Sequence, residues 1–179
     1  MANVNSPNGF TPAYHMSGGT IRPSEFAIAS GTNASIFSGD VVNLSSGLVI
    51  QGTATGAPLG VFAGVEYQAT DGSVVFSKVW TADVATLGAA NAKAYVYSDP
   101  DIVYEAQSTG TPTQASIGTT NTISTTAGDS NTGRSKEGVT TTTSSGIATV
   151  VGFVDRPDNS IGQYARLYVI FPASVFGNN

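Results

Sequence analysis

The chain contains no cysteine, one histidine, one tryptophan and few charges, and each shortage narrows what it can be. Without cysteine there are no disulfides and no thiolate metal sites, so strand pairing and burial supply all of its stability. A single histidine, His15, rules out His-rich zinc sites and leaves any Ser-His-Asp triad one possible base. Charged residues make up 11% of the 179 residues, against about 25% in ordinary soluble domains. The exterior is therefore built of hydroxyls and amides, as suits a protein that works against other protein surfaces, a signature shared by secreted β-proteins and fibre-like proteins.

Long hydrophobic runs are also missing. None approaches the roughly 18 apolar residues of a membrane-spanning helix, and the N-terminus has neither a basic stretch nor an apolar core of an export signal, so a soluble, non-exported chain is expected. The net charge is −5, with seven basic residues scattered from Arg22 to Arg166. That distribution lacks the basic stripe that releases counterions from a phosphate backbone. Neither nucleic acid nor membrane is expected as a partner.

What is present is β-structure in short pieces. Apolar runs rich in Val, Ile, Phe and Tyr alternate with Gly-containing turns, which predicts strands over 40–44, 48–51, 59–68, 73–81 and 94–97. Asp71-Gly72 marks a hairpin between the third and fourth. One helical turn is expected within 81–91, capped by Thr81 or Asp83 and limited by Gly88. The β pattern returns over 147–155 and 164–171. In the last strand Leu167, Val169 and Phe171 share the inward face. Gly52, Gly56, Gly60 and Gly64 imitate a small-residue membrane motif, but Pro58 breaks that helix, and bulges or close backbone approach explain them better. The fold class expected is all-β, a small β-barrel or β-sandwich.

Two regions depart from this pattern. Residues 1–24 read as an extended arm, since Pro7, Pro12 and Pro23 forbid a continuous helix, and residues 25–179 form the β domain. Phe10, Tyr14 and Met16 are the arm's apolar anchors, placed to dock on a neighbouring subunit or on the chain's own body. Residues 106–146 are a Thr/Ser/Gly-rich stretch without an aromatic side chain, whose only sizeable apolar residues are Ile117, Ile123 and Val139. Burial within that stretch cannot offset about 1 to 2 kcal/mol of backbone entropy per ordered residue. Either the rest of the domain or a neighbouring subunit must hold it in place, and the preferred expectation is a surface ordered by assembly.

Chemistry is sparsely signalled. No Gly-x-Ser-x-Gly elbow accompanies His15, and no phosphate-binding or dinucleotide motif occurs, so neither an enzyme nor a cofactor is expected. Asp99-Pro100-Asp101 followed by Glu105 offers carboxylates to a hard cation. Without an EF-hand register, turn chemistry is the preferred account and no metal is expected. Gly133-Arg134-Ser135-Lys136-Glu137 is the one dense charge cluster in the polar stretch, read as a solvated loop tip or a contact with an acidic neighbour.

The run Ala94-Tyr95-Val96-Tyr97-Ser98-Asp99-Pro100-Asp101-Ile102-Val103-Tyr104-Glu105 opens a longer pattern. It continues with Gly128-Asp129 and Thr132-Gly133-Arg134-Ser135, then Val151-Gly152-Phe153-Val154-Asp155-Arg156-Pro157-Asp158-Asn159, then Ala165-Arg166-Leu167-Tyr168-Val169. Together with Ser38-Gly39-Asp40-Val41-Val42 and Gly60-Val61-Phe62-Ala63-Gly64-Val65, this resembles the decoration, or cement, proteins of tailed-bacteriophage heads, over about residues 40 to 176. The Val-Asp-Arg-Pro-Asp-Asn run is its most distinctive piece. The resemblance implies a small β-structured virion protein, made in the host cytoplasm, that binds the outer surface of the capsid. There it would clamp neighbouring major capsid protein subunits, as a homotrimer. Phe10, Tyr14 and Met16 would then be arm contacts, and Arg134 and Arg156 polar anchors, unless Arg156 closes its own turn by pairing with Asp158. The competing reading is a trimeric receptor-binding or tail-fibre-type adhesion module. A fibre should show shaft repeats or an exposed aromatic platform, and neither stands out.

Overall fold

A computed structural model describes residues 3–177. Its strands run in chain order as β1 (Thr11–His15), β2 (Ser24–Ile28), β3 (Ile36–Phe37), β4 (Val41–Ser45), β5 (Leu48–Gln51), β6 (Gly60–Gln68), β7 (Val74–Ser77) and β8 (Val79–Trp80). There follow β9 (Ala92–Tyr97), β10 (Ile102–Gln107), β11 (Thr120–Asn121), β12 (Ile123–Ser124), β13 (Gly138–Val139), β14 (Ala148–Phe153) and β15 (Arg166–Ile170). The two helical pieces are single 3-10 turns at Leu87–Ala89 and Gln114–Ser116. The first lies within the expected turn over 81–91, but neither Thr81 nor Asp83 caps it. Thr86 precedes it without a side-chain cap, and Asp83 sits at φ 61°.

The first half closes into a barrel. Strands pair in the ring β4-β5-β2-β9-β6, and β6 pairs back onto β4 through Val41↔Val61 and Val42↔Gly60. Inside lie Ile28, Val42, Val49, Leu59, Phe62, Val65, Ala94 and Val96, with Trp80 wedged in from β8. Alternation along β4 and β6 sends the neighbouring side chains outward: Val41 and Val61 leave the barrel and enter a second core.

That second core is covered by the sheet β1-β10-β15-β14-β11 and the β12–β13 ribbon. Leu167, Val169 and Phe171 face it, as the alternation predicts, and so do Tyr104, Ala106 and Val150. The fold is thus all-β, with a closed five-strand barrel that shares a wall with a second, sheet-covered core, as the expected class has it.

The strand over 73–81 is divided. Ser77 Oγ accepts the Val79 N–H, and the chain breaks between β7 and β8 at Lys78. The break inverts the facing, so Val74 and Phe76 point outward while Trp80 is fully buried. The Asp71-Gly72 hairpin forms as expected, with Gly72 at φ 88° and Asp71 Oδ1 accepting the Ser73 N–H. Strands β2, β3, β10, β11, β12 and β13 are additions beyond the expected set.

The polar stretch packs on the rest of its own domain, the first of the two supports expected for it. Ile123 and Val139 insert into the second core, while Ile117 stays exposed. Thr120 pairs with Thr149 and Asn121 with Ala148, and the Thr109 N–H donates to the Val139 carbonyl. Hydroxyl pairs Thr120–Thr149 and Thr122–Thr140, both 2.7 Å, continue the ladder through side chains. Two apolar anchors suffice because the sheet they land on belongs to the same molecule.

Candidate functional site

Proline and glycine keep the arm extended, and extension lets it run along its own sheet. Asn3 donates to the carbonyls of Ser160 and Gln163, and Gln107 ties down both the Ser6 N–H and the Val4 carbonyl. Phe10 turns inward to 1% exposure against Phe171, ring centroids 5.3 Å apart. It is a core residue, so of the two dockings open to the arm Phe10 takes the one on the chain's own body and not the one on a neighbour. Beyond it β1 pairs, among the described residues, with β10 alone and forms the edge of the sheet. Tyr14 sits there edge-on to Tyr168 at 5.5 Å, half exposed, and Met16 is 58% exposed.

The other sheet ends the same way. Among the described residues strand β7 pairs only with β6, and it carries Phe76, 72% exposed, and Val74, 57% exposed. Exposed aromatic and aliphatic side chains on an edge strand are a liability that folded proteins usually blunt or cover, and here they stand on both edge strands.

The two arginines separate. The Arg134 guanidinium is exposed and donates to Asn8 Oδ1 at 3.0 Å, while its backbone bridges Ser38. Arg156 donates to Glu105 at 2.8 Å, and Arg166 reaches the other oxygen of the same carboxylate at 3.2 Å. Asp158 is not its partner, so the expected turn closure is replaced by a three-residue ion network across β10 and β15. Glu105 is thereby withdrawn from Asp99 and Asp101, and the carboxylate trio suggested by sequence does not assemble.

His15 takes its place. Its Nε2 lies 3.0 Å from Asp99 Oδ2, its Nδ1 accepts the Gly19 N–H at 3.2 Å, and Ser17 Oγ lies 3.1 Å from the same nitrogen. Ser17 donates to Asp101 Oδ2 at 3.1 Å. The Asp101 N–H donates to Asp99 Oδ1, and that bond together with His15 holds the Asp99 carboxyl below the usual carboxylate range. With the acceptor nitrogen of His15 taken by a backbone N–H and the serine proton directed at Asp101, Ser17 is not an activated nucleophile. The constellation works as a clasp between the arm and the β9–β10 turn.

No family model, no curated protein and no solved structure matches this chain.

One site was invisible in the sequence. Glu137, read there as part of a solvated loop tip, is fully buried beside buried Asp40. Its Oε2 accepts the Val41 N–H at 2.8 Å, and Asp40 Oδ2 accepts the Phe37 N–H at 2.8 Å. Burial, then the neighbouring Asp40 charge, pushes the Glu137 pKa up to about 9, and burial raises Asp40 as well. The pair fastens the polar stretch to the barrel entrance. The only signal for it was Val139 two residues on, which pulls its neighbours inward.

Proposed function

We propose that this chain is a structural, non-enzymatic virion protein of the capsid-decoration class: it binds the outside of a bacteriophage head as a self-associated trimer and clamps neighbouring major capsid subunits. The observation that carries the reading is the pair of open sheet edges, β1 with Tyr14 and, in the turn just after it, Met16, and β7 with Val74 and Phe76. A shell protein can add a strand to either edge, with backbone hydrogen bonds supplying contact and side chains supplying register. Threefold repetition multiplies each weak contact through avidity. The low charge and the resemblance over residues 40 to 176 support the same assignment, and Arg134 is its exposed polar anchor.

The test mixes the purified protein with capsids lacking it and follows them by cryo-electron microscopy and heat challenge. Occupancy at symmetric capsomer junctions with a raised rupture temperature is the expected result. Failure to bind shells, with binding to host cell surfaces instead, would overturn it in favour of the receptor-binding reading. Phe76→Lys should abolish or strongly weaken shell binding while changing stability by no more than about 0.5 kcal/mol, because the side chain is a surface one in the free protein.

A further inference from the structure

The geometry points to a divalent metal site of the zinc class formed by His15, Asp99 and Asp101. One ligand atom from each lies within 4.8 Å of the other two. A tetrahedral zinc ion with bonds near 2.0 to 2.2 Å sets its ligand atoms about 3.4 Å apart, and His15 Nε2 already stands 3.0 Å from Asp99 Oδ2. Small rotations of two exposed aspartates complete the spacing. Three protein ligands leave a fourth position for water.

The donor set chooses the metal. Calcium takes six to eight oxygens, whereas one imidazole with two carboxylates suits zinc, cobalt or nickel. The imidazole is also the fixed member: its side chain is 8% exposed, against 46% for Asp99. The ligands come from two segments 84 residues apart, so a bound ion would pin the arm to the β9–β10 turn. The site forms within one chain and does not depend on the capsid reading.

Binding requires one proton to move. As the clasp stands, Gly19 donates to Nδ1, so the imidazole proton is on Nε2 and points at Asp99. A metal on Nε2 displaces that proton to Nδ1, where Ser17 Oγ at 3.1 Å accepts it while still donating its own to Asp101. The imidazole stays neutral throughout, and the exposed Gly19 N–H turns to solvent. Ser17 is therefore a positioning residue, holding the ring in the metal-binding tautomer as outer-sphere partners do.

The experiment titrates the full chain with Zn2+ alone. Calorimetry should give one equivalent bound, and the melting temperature should rise by roughly 5 °C or more at hundredfold excess over the dissociation constant. Because His15 is the only histidine, its ring 15N resonances are self-assigned, and zinc should convert them from the Nε2–H to the Nδ1–H pattern. Asp99→Asn should abolish the stoichiometric binding, and Ser17→Ala should weaken it about tenfold or more. No saturable binding, an unmoved His15 ring signal, or binding of equal strength in Asp99→Asn would each overturn the site. The ring readout is made on the unmodified protein, so a variant that fails to fold does not shelter the inference.

Discussion

Glu137 and Asp40 are two carboxyls buried in a chain whose other acids mostly face water. An ionised carboxylate in that position is costly without compensating hydrogen bonds, and here each group receives one backbone N–H. Glu137 consequently stays protonated when folded up to a pKa of about 9, against 4.5 as its ordinary value. Between those limits the unfolded chain gives up a proton that the folded chain keeps, so rising pH favours unfolding. Asp40 is shifted in the same direction. The expected outcome is a urea midpoint that is highest near pH 5 and falls steadily toward pH 9. Glu137→Gln, which keeps the Val41 N–H bond without a titrating group, should flatten most of that slope. A wild-type midpoint rising over the same range would contradict the assignment. Nothing in Arg-Ser-Lys-Glu marks the last residue as buried, since composition reads all four as solvated. Only the register set by Val139 distinguishes it.

At the level of elements, close approach decides where the barrel shuts. Gly60 faces Val42 across the β4–β6 seam, and a Cβ there would stand 2.0 Å from the Tyr97 carbonyl oxygen. The strand has no room for any side chain at the point where the ring closes. Gly60→Ala should therefore destabilise the fold by about 1 to 3 kcal/mol, the range for a forced backbone shift in a packed core. Gly47→Ala, at a turn with open space around it, should cost less than half as much, chiefly through its φ of 78°. The arm supplies a complementary test. Phe10→Ala should lower stability by about 3 to 5 kcal/mol, whereas Met16→Ala should stay within about 0.5 kcal/mol; chemical denaturation measures both. Sequence reasoning found β4, β5, β6, β9, β14 and β15 because each has alternating or bounded apolar runs. It overlooked β2 and β10, where Glu25 and Glu105 interrupt the pattern, and the two-residue strands β3, β11, β12 and β13, which are too short to show one. It also carried the strand over 73–81 straight through Lys78, because a break of one residue leaves hydropathy unchanged while exchanging the two faces. Of the clasp, Asp99 and Asp101 were legible as a turn and His15 as a lone base. Their meeting depends on β1 lying beside β10, a pairing that local sequence does not encode.

Across the whole molecule, two cores share one wall. Val41 and Val61 are paired across the β4–β6 seam and project from the barrel into the second core, while Val42 and Phe62 beside them fill the first. Loosening that seam removes packing from the second core and closure from the barrel together. Two independent units would unfold separately, but a common wall made of adjacent residues on the same strands couples them, so one cooperative transition is expected. The chain provides a reporter for each side: Trp80, its only tryptophan, lies in the barrel, and His15, its only histidine, lies on the sheet that covers the second core. In urea, Trp80 fluorescence and the His15 ring resonance should lose their native values at the same midpoint. Val61→Ala should shift both by the same amount, corresponding to about 2 kcal/mol for deleting two buried methyl groups. If instead the His15 signal is lost first while Trp80 stays native, the sheet and its arm detach from an intact barrel. In that case the clasp at His15, rather than the shared wall, governs whether the molecule holds together.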